Sequence, residues 1–122
     1  MKGGEIEKTM DQKALTKNFV EAIGIGAADQ TLGNSTQRRA TSRNAAMVAA
    51  QYEMLSIIKG LRVRGGIEVS KAIETDSMLR TVLDAEISGA EIVKTEWTND
   101  DGCVVTLRIN KKRLEQAGVQ AP

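Results

Sequence analysis

Phe19-Val-Glu-Ala-Ile-Gly-Ile-Gly26 alternates two kinds of position. In an extended chain Phe19, Glu21, Ile23 and Ile25 fall on one face, and Val20, Ala22, Gly24 and Gly26 on the other. The second face is nearly bare, so another backbone or a helix can approach it closely. Gln30 to Asn34 reads as a loop. Ser35 or Thr36 is the expected cap of a helix running to about Lys59 and closed by Gly60. Met47, Met54, Ile58 and Leu61 mark one side of that helix, with Val48, Tyr52 and Leu55 beside them. Ala45, Ala46, Ala49 and Ala50 make its middle thin, which lets it lie close on a sheet or on another helix.

Beyond Gly65-Gly66, Ile67, Val69, Lys71 and Ile73 alternate with Glu68, Ser70, Ala72 and Glu74 and predict a strand. Thr75 or Asp76 then caps a short helix carrying Met78, Leu79, Val82 and Leu83; residues 84–88 read as either helix or strand. Ala90 to Trp97 and Cys103 to Ile109 alternate as two strands joined by Asn99-Asp100-Asp101-Gly102, with Gly102 suited to positive φ. Asn110 caps a last helix over 111–117, ended by Gly118. The expected fold is α+β in two layers, one long helix on an antiparallel sheet of about four strands, in the order β-α-β-α-β-β. Residues 18–118 form the single domain. Residues 1–17 read as a flexible or swapped arm and 119–122 as a tail.

Composition narrows function by exclusion. The chain has 122 residues, 41% of them hydrophobic, enough for a core. Its aromatics are Phe19, Tyr52 and Trp97. There is no His, so imidazole chemistry is out, and the single Cys103 excludes an intrachain disulfide and a cysteine zinc cluster. A net charge of +1 disfavours a strongly basic nucleic-acid binder. No apolar signal core follows Met1-Lys-Gly-Gly4, which leaves either a cytosolic protein or one read without its export segment.

Several motifs fail on chemistry. Gly24-Ile-Gly-Ala-Ala-Asp29 resembles a dinucleotide loop, yet Asp29 stands at the third glycine position and would repel a pyrophosphate. Gly60-Leu-Arg-Val-Arg-Gly65 has P-loop spacing, but Gly66 and Ile67 replace the required Lys and Ser/Thr. Arg62 and Arg64 form a basic loop without the aromatic platforms that single-stranded RNA favours. Glu53, Asp84 and Glu86 are the carboxylates nearest apolar positions, and no nucleophile motif surrounds Cys103, Ser70 or Ser88. Cys103 reads as a small buried side chain. No catalytic residue, cofactor or metal site is expected.

Charge is unevenly placed. Residues 30–66 carry Arg38, Arg39, Arg43, Lys59, Arg62 and Arg64 against Glu53, a net +5. Residues 67–101 carry nine acids, among them Glu68, Glu74, Glu91 and Glu96, against Lys71, Arg80 and Lys94, a net −6. Opposed blocks of this kind give a self-complementary surface, unless the fold interleaves them into a mixed, solvated one.

Arg39-Ala-Thr-Ser-Arg43-Asn-Ala-Ala46, Ile58-Lys-Gly60-Leu-Arg-Val63, Met78-Leu-Arg80, Ile87-Ser-Gly89-Ala-Glu-Ile-Val93 and Asp101-Gly102-Cys-Val-Val-Thr-Leu-Arg108 form an ordered set. Over about residues 20–110 it resembles the LPP-twenty family of small bacterial envelope lipoproteins, FlgP-type flagellar lipoproteins included. The resemblance implies a long helix on an antiparallel sheet, a place in the periplasm, at the outer membrane or on the cell surface, and assembly into rings or disks. It also implies a lipid anchor, although Cys103 lies in a strand and is not the lipidated residue. The expected function is a non-enzymatic structural subunit that self-assembles into a ring, tubule or filament, with other envelope or flagellar proteins as further partners. Its interface would join Arg38, Arg39, Arg43, Arg62 and Arg64 of one copy to Glu68, Glu74, Glu91 and Glu96 of the next, helped by open strand edges or the N-terminal arm. The alternatives are a monomeric protein- or ligand-binding module and, more remotely, a nucleic-acid-binding domain.

Overall fold

The computed structural model describes residues 18–120, so the expected N-terminal arm over 1–17 lies outside the described residues. Strand β1 (Phe19–Gly26) leads into helix α1 (Ser35–Lys59), followed by β2 (Arg62–Val63), α2 (Val69–Thr75) and α3 (Ser77–Ser88). Strands β3 (Glu91–Trp97) and β4 (Cys103–Asn110), helix α4 (Lys111–Gln116) and strand β5 (Val119–Gln120) complete the order. The main sheet is antiparallel with strand order β1-β4-β3, and β2 and β5 form a separate ribbon. The fold is thus α+β, with α1 laid across the sheet.

The bare face of β1 explains that placement. Val20, Ala22, Gly24 and Gly26 turn toward α1, opposite Ile109, Leu107, Val105 and Cys103 of β4. A Cβ added at Gly24 would stand 2.1 Å from the Ala46 carbonyl oxygen and 2.2 Å from the Ala50 nitrogen. At Gly26 it would stand 2.1 Å from the Ser42 oxygen. Backbone therefore touches backbone, and only glycine fits. On α1 the buried residues are Ser42, Ala46, Ala50, Met54 and Ile58, a strict spacing of four. Small residues lie over the two glycines, and Met54, Ile58, Val105 and Leu107 are fully buried in the same apolar core.

Four local expectations need correction. The predicted strand over 67–74 is helix α2. Val69 and Ile73 fit a period of two and a helical period equally well over so short a run. The helix wins because Val69, Ala72 and Ile73 then share one face: Val69 is fully buried and the other two pack on the core, while Ile67 stays 57% exposed. The main sheet consequently has three strands, not four. The cap of α1 is Asn34, whose side chain accepts from the Gln37 N–H at 2.8 Å, not Ser35 or Thr36. In the β3–β4 turn the positive φ belongs to Asp101 (66°), not Gly102. Residues 84–88 are helical, and Asp76 caps α3 by accepting from the Leu79 N–H at 3.0 Å. Val119, assigned to the tail, is buried and pairs with Val63.

Three substitutions test this packing. Gly24→Ala should destabilise the fold by about 3 kcal/mol, since a methyl group meets α1 backbone that cannot yield locally. Gly33→Ala, where no atom lies within 4 Å of the added methyl, should stay within about 0.5 kcal/mol. Leu107→Ala should cost about 2–5 kcal/mol. Urea denaturation of the three variants checks the ranking.

Candidate assembly surface

Asp101 organises one end of the molecule. Its φ of 66° turns the carboxylate back over the first turns of α1. There it accepts from Arg38 Nε at 2.9 Å and from Arg39 Nε at 3.0 Å, and its carbonyl accepts from Ser42 Oγ at 2.6 Å. Arg38 also donates to the Leu32 carbonyl at 2.9 Å, and the Arg39 guanidinium lies 5.1 Å from the centroid of Trp97. The two hydrogen-bonded guanidinium groups hold the Asp101 carboxyl below its ordinary range. Thr98 Oγ1 bonds the Asp100 carboxylate and accepts from the Gly102 N–H at 2.8 Å, which closes the turn.

The proposed interface residues therefore do not form one patch. Arg38 and Arg39 meet an acid of their own chain. Arg62 lies beyond the other end of α1, which at 25 residues spans about 37 Å. Its guanidinium donates to the Gly66 carbonyl at 2.7 Å and braces the turn in which Gly65 and Gly66 have positive φ. Arg43 and Arg64 make no ion pair among the described residues. Glu68 accepts from Ser70 Oγ at 2.9 Å and precedes α2; Glu74 is exposed near that helix's end. Glu91 takes both ends of Arg108, at 2.9 and 3.2 Å, and Glu96 lies 3.8 Å from Lys94. Much of the opposed charge is thus interleaved within one chain.

An open cleft of about 180 Å³ lies between β4, α4 and the end of α3. Phe19, Glu86, Glu91, Arg108 and Arg113 line it. Arg113 holds Glu86 at 2.7 and 3.3 Å, and Arg108 lies 4.1 Å from the Phe19 centroid. Each guanidinium already faces a carboxylate, so the cleft presents neutral pairs rather than a free cation. The loop resembling a dinucleotide site is filled: α1 backbone occupies the space beside Gly24 and Gly26, and Asp29 folds onto Thr31. Cys103 is buried, and burial pushes its thiol up, which keeps it protonated at neutral pH. Asp84 pairs with Arg80, and Glu53 is exposed on α1. No group of His, Cys, Asp and Glu among the described residues has metal-binding geometry. Among those residues no helix is long and apolar enough to cross a membrane.

Uncovered apolar residues were missed in the sequence. Helix α1 packs chiefly on β1 and β4 and reaches β3 through Arg39 on Trp97; Ile92 and Trp97 sit on the helix side of β3, opposite Leu107 and Cys103. Ile92, Val93 and Trp97 remain 40–41% exposed. On the solvent side of α1, Val48 is 58% and Tyr52 75% exposed. The alternation of β3 was legible; that its inner face would lie beyond the helix layer was not. No family model, curated protein or solved structure matches this sequence.

The Asp101 clamp carries a pH signature. A carboxyl with a depressed pKa in the folded state contributes stability that is complete above its unfolded value, near 3.8, and is lost as pH falls through the folded value. Asp101→Asn keeps a residue that tolerates positive φ but removes the charge and one of the two oxygens that accept from Arg38 and Arg39. Thermal melts from pH 7 to 2 should show the variant less stable at pH 7 and with a flatter decline below pH 4. Parallel curves would show that the two arginines do not act through this charge.

Proposed function

We propose that this protein is a non-enzymatic structural subunit that works by associating with further copies of itself. The observation that carries this reading is the uncovered side of β3. Edge strands of soluble domains are normally shortened, charged or covered; β3 carries charge at Glu91, Lys94 and Glu96, yet Ile92, Val93 and Trp97 lie half-exposed along its seven residues. Val48 and Tyr52 on the outer side of α1 add a second apolar strip. The resemblance to the LPP-twenty lipoproteins adds a setting: the bacterial envelope, at the periplasm or outer membrane, with a ring, tubule or filament as the product and other envelope or flagellar proteins as neighbours.

Charge would set register and encounter rate in such an assembly, while apolar and backbone contacts hold it. Arg43, Arg62 and Arg64 and the acids Glu68 and Glu74 are exposed for that role. The measurement is particle mass by sedimentation velocity across a range of concentrations. Self-association predicts species heavier than one chain that grow with concentration. Arg64→Glu, at an exposed loop residue that makes no ion pair among the described residues, should weaken them while circular dichroism stays unchanged, since such substitutions shift stability by about 0.5 kcal/mol or less. A strict monomer at every concentration would instead favour a lone binding module.

A further inference from the structure

We propose that β3 pairs antiparallel with β3 of a second copy about a two-fold axis through Thr95, joining two three-stranded sheets into one of six; this rests on the self-association reading above and names its contact. Among the described residues strand β3 is the edge of the sheet order β1-β4-β3, so one row of its backbone donors and acceptors has no neighbouring strand there. Its charges select a single register. Lys94 and Glu96 pair with Thr106 and Val104, on the sheet face away from α1, while Thr95 and Trp97 pair with Val105 and Cys103 on the helix side.

Residues directly opposite in an antiparallel pair share a face, so a self-paired strand is centred on a residue. Centring on Lys94 sets Lys94 against Lys94, and centring on Glu96 sets Glu96 against Glu96. Centring on Thr95 sets Lys94 against Glu96 of the second copy and Glu96 against its Lys94, two favourable pairs at once. The two residues already lie 3.8 Å apart within one chain, and their side chains are 60% and 57% exposed, so four alternating charges would meet in a small square. On the other face the same register sets Trp97 against Val93 of the second copy and covers two residues now 40% exposed.

The bulge between Ile92 and Lys94 fixes where pairing stops. An extra residue bends the strand and ends a regular ladder, which confines the contact to Val93–Trp97. Because α1 lies over β1 and β4, the two long helices stand apart on the joined sheet and do not collide. A two-fold contact closes on itself. It yields dimers, and any larger ring or filament uses those dimers as blocks through a different surface.

Charge reversal with compensation is the test. Lys94→Glu places four like charges in the square and should raise the dimer Kd about tenfold or more in sedimentation at physiological salt. Adding Glu96→Lys to it exchanges the charges and should restore the parent Kd. Trp97, the sole tryptophan, should shift its emission to the blue as the parent protein associates. As a second variant, Thr95→Cys should be joined to its counterpart by a short bismaleimide, with Cys103 buried and silent; Lys112→Cys, exposed on α4, should not. Lys94→Glu assembling like the parent, or the exchanged pair staying as weak as the single variant, overturns the β3 contact and leaves self-association standing. A parent protein that is monomeric at every concentration overturns both.

Discussion

Two glycines on β1 set the geometry of this protein. At Gly24 and Gly26 the backbone of α1 lies where a side chain would otherwise be, and that contact fixes how deep the helix sits and over which strand. From it follows the filling of the interface, with Ser42, Ala46 and Ala50 where the layers touch and Met54 and Ile58 further along the same buried row. Interiors packed to crystal density do not absorb an added methyl group cheaply, so the rest of the molecule inherits this spacing. The helix packs chiefly on β1 and β4.

The Asp101 clamp completes the placement at the N-terminal end of α1, beside the contact at Gly26. A helix held only by two close contacts could still pivot in the plane of the sheet. Arg38, Arg39 and Ser42 bind the β3–β4 turn through one residue and fix that angle. The clamp also takes two of the arginines that the chain's basic block offers. The charge blocks of the sequence are therefore only partly available at the surface, and what remains is divided between the two ends of α1. An assembly driven by one basic face meeting one acidic face does not fit this arrangement as well as a contact made by apolar and backbone groups and registered by a few charges.

That distinction connects fold to function. Among the described residues β3 has no strand on its outer edge, and it carries half-exposed apolar residues on its face. Both are costly in isolation, and both are relieved by a second strand. The one thiol is buried and protonated, and the arginines of the cleft are each matched by a glutamate.

The sequence by itself determined the elements whose periodicity was long or whose cap was chemically specific. The alternation of β1 and β4, the span of α1 and the caps at Asp76 and Asn110 were all legible, because each rests on a local repeat or a local hydrogen bond. The bare face of β1 even announced a close approach. Tertiary structure alone decided the rest. Val69-Ser-Lys-Ala-Ile73 carried both periods, and burial of Val69 with its neighbours chose the helix. Asp101 took positive φ in place of the adjacent glycine because two arginines and a serine, some sixty residues away, held it there. The exposure of Ile92, Val93 and Trp97 depended on where a helix fifty residues upstream stopped covering the sheet. No window along the chain contains that information, since it is a property of lateral distance across strands and not of spacing along them.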